Sequence, residues 1–174
     1  IPDPAPDTLI DQRYQVVAPR LWLDTQPTHP PDDAGVLPPL ALAYLQLHRY
    51  SLHVPQIYRI YSPPEGGSPL ILLDHIPVNQ RGEFHPSLQI AWAKATPLRQ
   101  LYWLWQIGQL WQPLASHVVA QSLLVMDNLR VNGWRLQLRE LVMDTWQLAP
   151  ETNQMYRPGQ TITPGPSSDS GSGD

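Results

Sequence analysis

The chain has 174 residues, 42% of them hydrophobic and 15% charged, with a formal net charge of −4. That length suits one domain, or one domain with tails, and the acidic balance argues against non-specific nucleic-acid binding. With no cysteine present, disulfides, thiolate catalysis and cysteine-ligated zinc or iron–sulfur sites are excluded.

Residues 1–12 are rich in Pro and Asp and are expected to form an extended tail. The chain starts at Ile1 with no basic segment followed by an apolar one, so no signal peptide is expected, and the sequence reads as a piece of a longer protein. Arg13–Val17 and Arg20–Asp24 read as short strands separated by Ala18-Pro19. Thr25–Pro39 is a loop with five prolines. Leu40–Arg49 has helical character, with Leu42, Leu45 and Arg49 along one side. Gln56–Tyr61 reads as a strand, 63–67 as a turn, and Pro69–Ile76 as a buried strand. Ser87–Ala95 is expected to form a short helix.

The strongest helical pattern runs from Leu98 to Trp111, about 98–112 in all. Leu101, Leu104, Trp105, Gly108 and Trp111 fall on one side, expected to be the core face, and Arg99, Gln106 and Gln109 lie elsewhere. Pro113 is expected to close or kink the helix. The polar residues within it, among them Gln100 and Gln112, exclude a membrane span. A β-hairpin is expected over about 123–141. Asn132-Gly133 is a type I′ turn signal, and Trp134, Leu136 and Leu138 alternate with Arg135, Gln137 and Arg139. The Pro/Gly/Ser-rich stretch 151–174 has linker composition, which leaves 13–150 as the folded domain. The fold class is α+β, with small antiparallel sheets and helices.

Four segments, in order, resemble part of a protein-kinase fold. Val54–Tyr61 looks like the entry to the fourth strand after helix C, and Leu70–Pro77 like the fifth strand running into the hinge. Leu98–Leu114 looks like the long helix before the catalytic loop, and Asp127–Gly133 like the end of that loop. More narrowly, Gln12–Val16, Leu123–Val131 and Gly133–Leu136 are similar to a kinase-like region of cyanobacterial multidomain proteins that continue into a PPM-type serine/threonine phosphatase. The resemblance covers roughly residues 12–142. It implies a partial kinase-like fold, with a five-strand sheet packed beside the 98–111 helix, and a cytoplasmic signalling protein.

The groups that phosphoryl transfer requires are missing. A glycine-rich loop lets backbone amides approach phosphates, yet no glycine precedes Gly35. The single lysine, Lys94, follows the hinge-like segment, and Leu37–Arg49 contains no glutamate to pair with one. Val119-Ala120-Gln121-Ser122 stands where the catalytic aspartate should precede Leu123. By the resemblance, Asn128 matches the metal-binding asparagine and Glu140 stands near the position of the DFG aspartate. Asp74 and His75, at the hinge-like strand end, complete a vestigial nucleotide-binding set. On its own residues, Asn128 reads as a turn residue bonding its own backbone, and Asp74-His75 as a structural pair.

The chain is therefore expected to be a non-catalytic, kinase-like regulatory or protein-interaction module, with no cofactor and no metal. Its expected partner is a protein, including a tethered phosphatase domain, and neither nucleic acid nor a membrane span. The six histidines show no helical metal-ligand spacing. The seven tryptophans are the compositional excess. Trp103, Trp105 and Trp111 share one helix, so at least one is expected off its core face, where tryptophan suits a partner surface; burial of all three in the core is the plainer reading. Two alternatives remain open: an atypical nucleotide-binding domain, and a standalone adaptor unrelated to kinases.

Overall fold

Tyr14 and Val16 share one side of an extended segment, and both are buried, which sets the first strand pairing. The computed structural model describes residues 4–29, 37–63 and 68–145. The expected linker at 151–174 and most of the 63–67 turn lie outside them. The described fold is α+β and belongs to one unit ending at Asp144.

The strands are β1 (Leu9–Ile10), β2 (Tyr14–Ala18) and β3 (Leu21–Asp24), which form an antiparallel sheet in the order β1-β2-β3. Leu9 and Ile10, assigned from sequence to an extended tail, pair with Gln15 and Tyr14. Ala18 pairs with Leu21 across a two-residue turn of Pro19 and Arg20. Arg20 takes a φ of +61°, the left-handed region that the third residue of a Pro-led type II turn requires and that Gly or Asn usually fills.

Helix α1 (Pro39–Gln46) starts with its proline in the first turn, where the missing N–H is not needed. Its core side is Ala41, Tyr44 and Leu47. Leu42 and Leu45, read as one side of this helix, are half exposed. A 3₁₀ turn at His48–Tyr50 then leads to β4 (Gln56–Tyr61) and β5 (Leu70–Asp74), an antiparallel pair with an irregularity between Ile57 and Arg59. β5 is half-buried rather than enclosed. No five-strand sheet forms among the described residues: β2 and β3 pair in a sheet with β1, and β4 and β5 form another. Side chains link them: the Trp22 ring lies 5.9 Å from Tyr61 and 6.1 Å from Tyr14, and Arg59 Nη1 donates to Tyr14 Oη at 3.0 Å.

Helix α2 (Leu88–Trp92) begins at Ser87, whose Oγ accepts from Ile90 N. Helix α3 runs from Pro97 to Ala115, continuing past Pro113. It packs on a 3₁₀ turn at Ala120–Leu123 and on the hairpin of β6 (Leu129–Asn132) and β7 (Arg135–Leu138), not on a sheet of five strands. The expected hairpin is shorter at its first end, because 126–128 form another 3₁₀ turn. Its turn also differs. Asn132 pairs with Arg135, so Gly133 and Trp134 are the central residues and only Gly133 has positive φ, at +61°. Glycine at the first central position is the type II′ arrangement.

The core joins Tyr44, Leu47 and Val54 to Trp103, Leu110 and Leu114 of α3 and to Leu129, Val131, Leu136 and Leu138 of the hairpin. The α3 face read as core is therefore the wrong one. Trp103, Gln106, Leu110 and Leu114 are buried, whereas Leu101, Leu104, Trp105, Gly108 and Trp111 are exposed. The reason is Gln106. Its Nε2 donates to Trp134 O at 2.8 Å and its Oε1 accepts from Leu136 N at 3.0 Å. A buried primary amide thus pairs with the open edge of β7, as a neighbouring strand would. Among the described residues, no helix is long and apolar enough to cross a membrane.

Candidate functional site

The candidate sites are a cleft on the sheet side and the outward face of α3; another cavity, of about 500 Å³, is lined by His75, His85 and Arg135 among others. The cleft is a cavity of about 540 Å³. β3 contributes Leu21, Trp22 and Asp24; α1 contributes Leu40 and Tyr44; β5 contributes Leu70–Leu73; and Arg139, Glu140 and Leu141 follow β7.

At one end, Asp24 accepts from Arg13 Nη2 at 2.8 Å and Nε at 3.0 Å, and also from the Tyr58 hydroxyl. Arg13 Nη2 reaches the carbonyl of His29 at 2.6 Å. Burial raises the Asp24 carboxyl, but hydrogen bonds from Arg13, Tyr58 and Gln26 N outweigh it and hold the pKa at about 2. Arg13 is raised, chiefly by its bond to Asp24 against the opposing effect of burial. Tyr58 is raised by the same carboxylate and then by burial. All three keep their ordinary ionisation near neutrality, and the cluster is a fixed strut.

At the other end, Glu140 accepts from Arg20 Nη2 at 2.5 Å and from Arg139 Nη2 at 2.6 Å. The Arg20–Glu140 pair joins the Pro19-Arg20 turn to the segment leaving the hairpin. Beside it, Leu141 N donates to Tyr44 Oη at 2.6 Å, tying α1 to the same segment. Burial pushes the Tyr44 phenol up, so it stays neutral and able to accept.

The four residues matched to a nucleotide site fall in two pairs, Asn128 on the Glu140 backbone and Asp74 with His75. Glu140 lines the cleft. Asp74 and His75 are exposed at the end of β5, where Asp74 Oδ1 accepts from His75 N at 2.6 Å and His75 has a φ of +57°. Asn128 is buried, with its amide fully engaged on backbone: Nδ2 donates to Ser122 O at 2.9 Å and Glu140 O at 2.8 Å, and Oδ1 accepts from Glu140 N at 3.0 Å. It clamps the 3₁₀ turn to the hairpin exit. Among the described residues, no group of three His, Asp or Glu side chains could hold a metal ion.

The three tryptophans divide. Trp103 is buried, 6.4 Å from the Trp92 ring. Trp105 and Trp111 are 56% and 43% exposed. With Leu98, Leu101 and Leu104 they make an apolar, uncharged strip along α3, and Gly108 in its middle has open space at its Cβ position. Leu101, Leu104, Gly108, Trp111 and Ala115 recur at alternating three- and four-residue spacing, the seam pattern of a helix that meets another helix. Tyr102 extends the strip, stacked on Trp105 at 5.5 Å and edge-on to Trp134 at 5.8 Å, with Arg99 5.1 Å from the Trp134 ring.

Sequence reasoning missed Arg20 and Arg139, the two cations of the cleft. The Pro19-Arg20 turn offered a signal for the first. The second reads as an ordinary solvent-facing position of an alternating strand. No family model, curated protein or solved structure matches the chain.

Proposed function

We propose that this chain is a non-catalytic, kinase-like regulatory or protein-interaction module that acts beside a PPM-type serine/threonine phosphatase domain in the cytoplasm. The observation that carries the interaction reading is the outward face of α3. Leu98, Leu101, Leu104, Trp105 and Trp111 give α3 an exposed apolar strip in addition to its buried face, and large exposed apolar strips on folded domains mark contact surfaces. The non-catalytic part rests on the missing lysine, glycine-rich loop and catalytic aspartate. The kinase-like part rests on the order of the resembling segments, without the support of a five-stranded sheet.

The test is a calorimetric titration of this chain with the PPM-type phosphatase domain of a protein that carries it, expressed separately. Binding that is lost in Leu104→Glu and Trp105→Glu, with circular dichroism unchanged, is the expected result. No binding, or binding that ignores both substitutions, overturns the reading.

The cleft favours a second reading, an atypical nucleotide-binding domain. Its volume suits a small ligand, but Pro19 stands at the turn without an N–H, and only Glu140 of the four matched residues lines the cavity. A thermal-shift titration with ATP or ADP and Mg²⁺ decides it. At about 100 times the dissociation constant a ligand adds roughly 2.7 kcal/mol, a shift of several degrees.

A further inference from the structure

The charges around the cleft do not cancel evenly. Arg13 and Asp24 neutralise each other in a bidentate pair. At the opposite end Arg20 and Arg139 share the one carboxylate of Glu140, leaving a single surplus positive charge. The described hydrogen bonds of their side chains use one donor on each guanidinium, out of five that the group carries. Arg20 is 61% exposed, so its fork is open to a ligand. Between the two charged ends the wall is apolar, formed by Leu21, Trp22, Leu40, Ile71 and Leu73. The Arg139 guanidinium rests 6.0 Å from the Phe84 ring centroid, a position in which an arginine keeps its planar fork available.

We propose that this cleft binds a small amphiphilic monoanion, an apolar body bearing one carboxylate, with Arg20 and Arg139 on the carboxylate and β3, α1 and β5 around the body. The surplus of one charge selects a monoanion. A polyphosphate would bring several charges to a cavity that also presents two carboxylates and no lysine. The cavity volume lies within the range of drug-sized ligand sites. The left-handed backbone at Arg20 fits this role, since strain of that kind persists where the surroundings hold a residue in place. The site is separate from the outward face of α3 and does not depend on it.

The test compares naphthalene-2-carboxylate with its uncharged carboxamide on the unaltered chain, following methyl resonances by NMR. The expected result is saturable binding of the carboxylate, with shifts at Ile71, Leu73 and Leu141 and at least tenfold weaker binding of the carboxamide. Arg20→Gln and Arg139→Gln should each weaken the carboxylate by about tenfold, as loss of a charged hydrogen bond implies. Leu104→Glu should leave it unchanged. Equal binding of acid and amide, shifts at Leu101 and Leu104 instead of the cleft, or no binding at millimolar probe overturns the proposal. So does MgATP displacing the carboxylate at lower concentration. Because the acid–amide comparison needs no substitution, it holds even where an arginine variant folds poorly.

Discussion

Gln106 and Asn128 hold the hairpin side of the molecule with neutral amides, while Arg13, Asp24 and Tyr58 hold the sheet side with charge. Both clusters answer the same need. Short strands leave backbone N–H and C=O groups without partners, and burial makes an unpartnered group costly. On the hairpin side those groups are deep, and an amide supplies both donor and acceptor without a charge to desolvate. On the sheet side the cluster lies nearer the surface, where a charged pair keeps part of its solvation. The hairpin side should therefore be indifferent to pH and the sheet side should not.

Asn128 offers the largest effect. Asn128→Ala removes three hydrogen bonds and leaves Ser122 O, Glu140 N and Glu140 O without their side-chain partner. A loss of about 3–4 kcal/mol is expected in chemical denaturation. Asn128→Asp separates the clamp from a metal-ligand role. A carboxylate would serve a metal, but it cannot donate to two carbonyls, so the aspartate variant should be destabilised like the alanine one and gain nothing from Mg²⁺.

Gln106→Leu comes next. It keeps the volume and removes the partner of Leu136 N and Trp134 O, for an expected loss of about 2–3 kcal/mol. An unchanged or raised stability would mean that water or a shifted strand serves the β7 edge, and that the amide clamp is not what turns this face of α3 inward.

Asp24→Asn tests the charged side, with a smaller effect whose signature is its pH dependence. The folded pKa of about 2 lies below the ordinary carboxyl value of 3.8. The contribution is therefore present above about pH 4 and lost as pH falls through about 2. In acid unfolding the variant should be less stable than the parent at neutral pH and converge with it towards pH 2. The amide variants should stay parallel to the parent throughout that window. A constant gap for Asp24→Asn would remove the charge from the account.

The same contrast explains what was legible in the sequence. The alternation of β7, a helix within 87–95 and the start of α3 follow from local chemistry, although α2 is shorter than expected and α3 continues past Pro113 to Ala115. The inward face of α3 does not, because helical spacing puts Gln106 off the apolar side, while its partner is a strand edge 28 residues away. Asn128 reads as a turn residue bonding its own backbone, but its partners are Ser122 in the preceding 3₁₀ turn and Glu140 beyond the hairpin. The single sheet failed for the opposite reason. Strand spans are local, but which strands pair depends on the side chains of Tyr14, Trp22, Tyr58 and Tyr61, and these fill the place where a backbone ladder was expected. The sequence singles out Glu140, which lines the cleft, but its helical spacing puts Trp105 and Trp111 on the core face, and both are exposed. Arg20 and Arg139 matter only through a carboxylate that the fold brings to them.

Neither amide nor charge is used on the outward face of α3, which gives the smallest expected effect on stability and the sharpest separation of fold from function. Leu104 and Trp105 are 51% and 56% exposed, and a charge placed there meets water. Leu104→Glu or Trp105→Glu should change the unfolding free energy by no more than about 0.5 kcal/mol, while abolishing association with the phosphatase domain. A large destabilisation would mean that the strip is held by this chain itself, and that it is apolar for folding rather than for binding. An unchanged stability with lost association would assign the strip to a partner, because Leu98, Leu101, Leu104, Trp105 and Trp111 leave an exposed, uncharged face that the fold does not need.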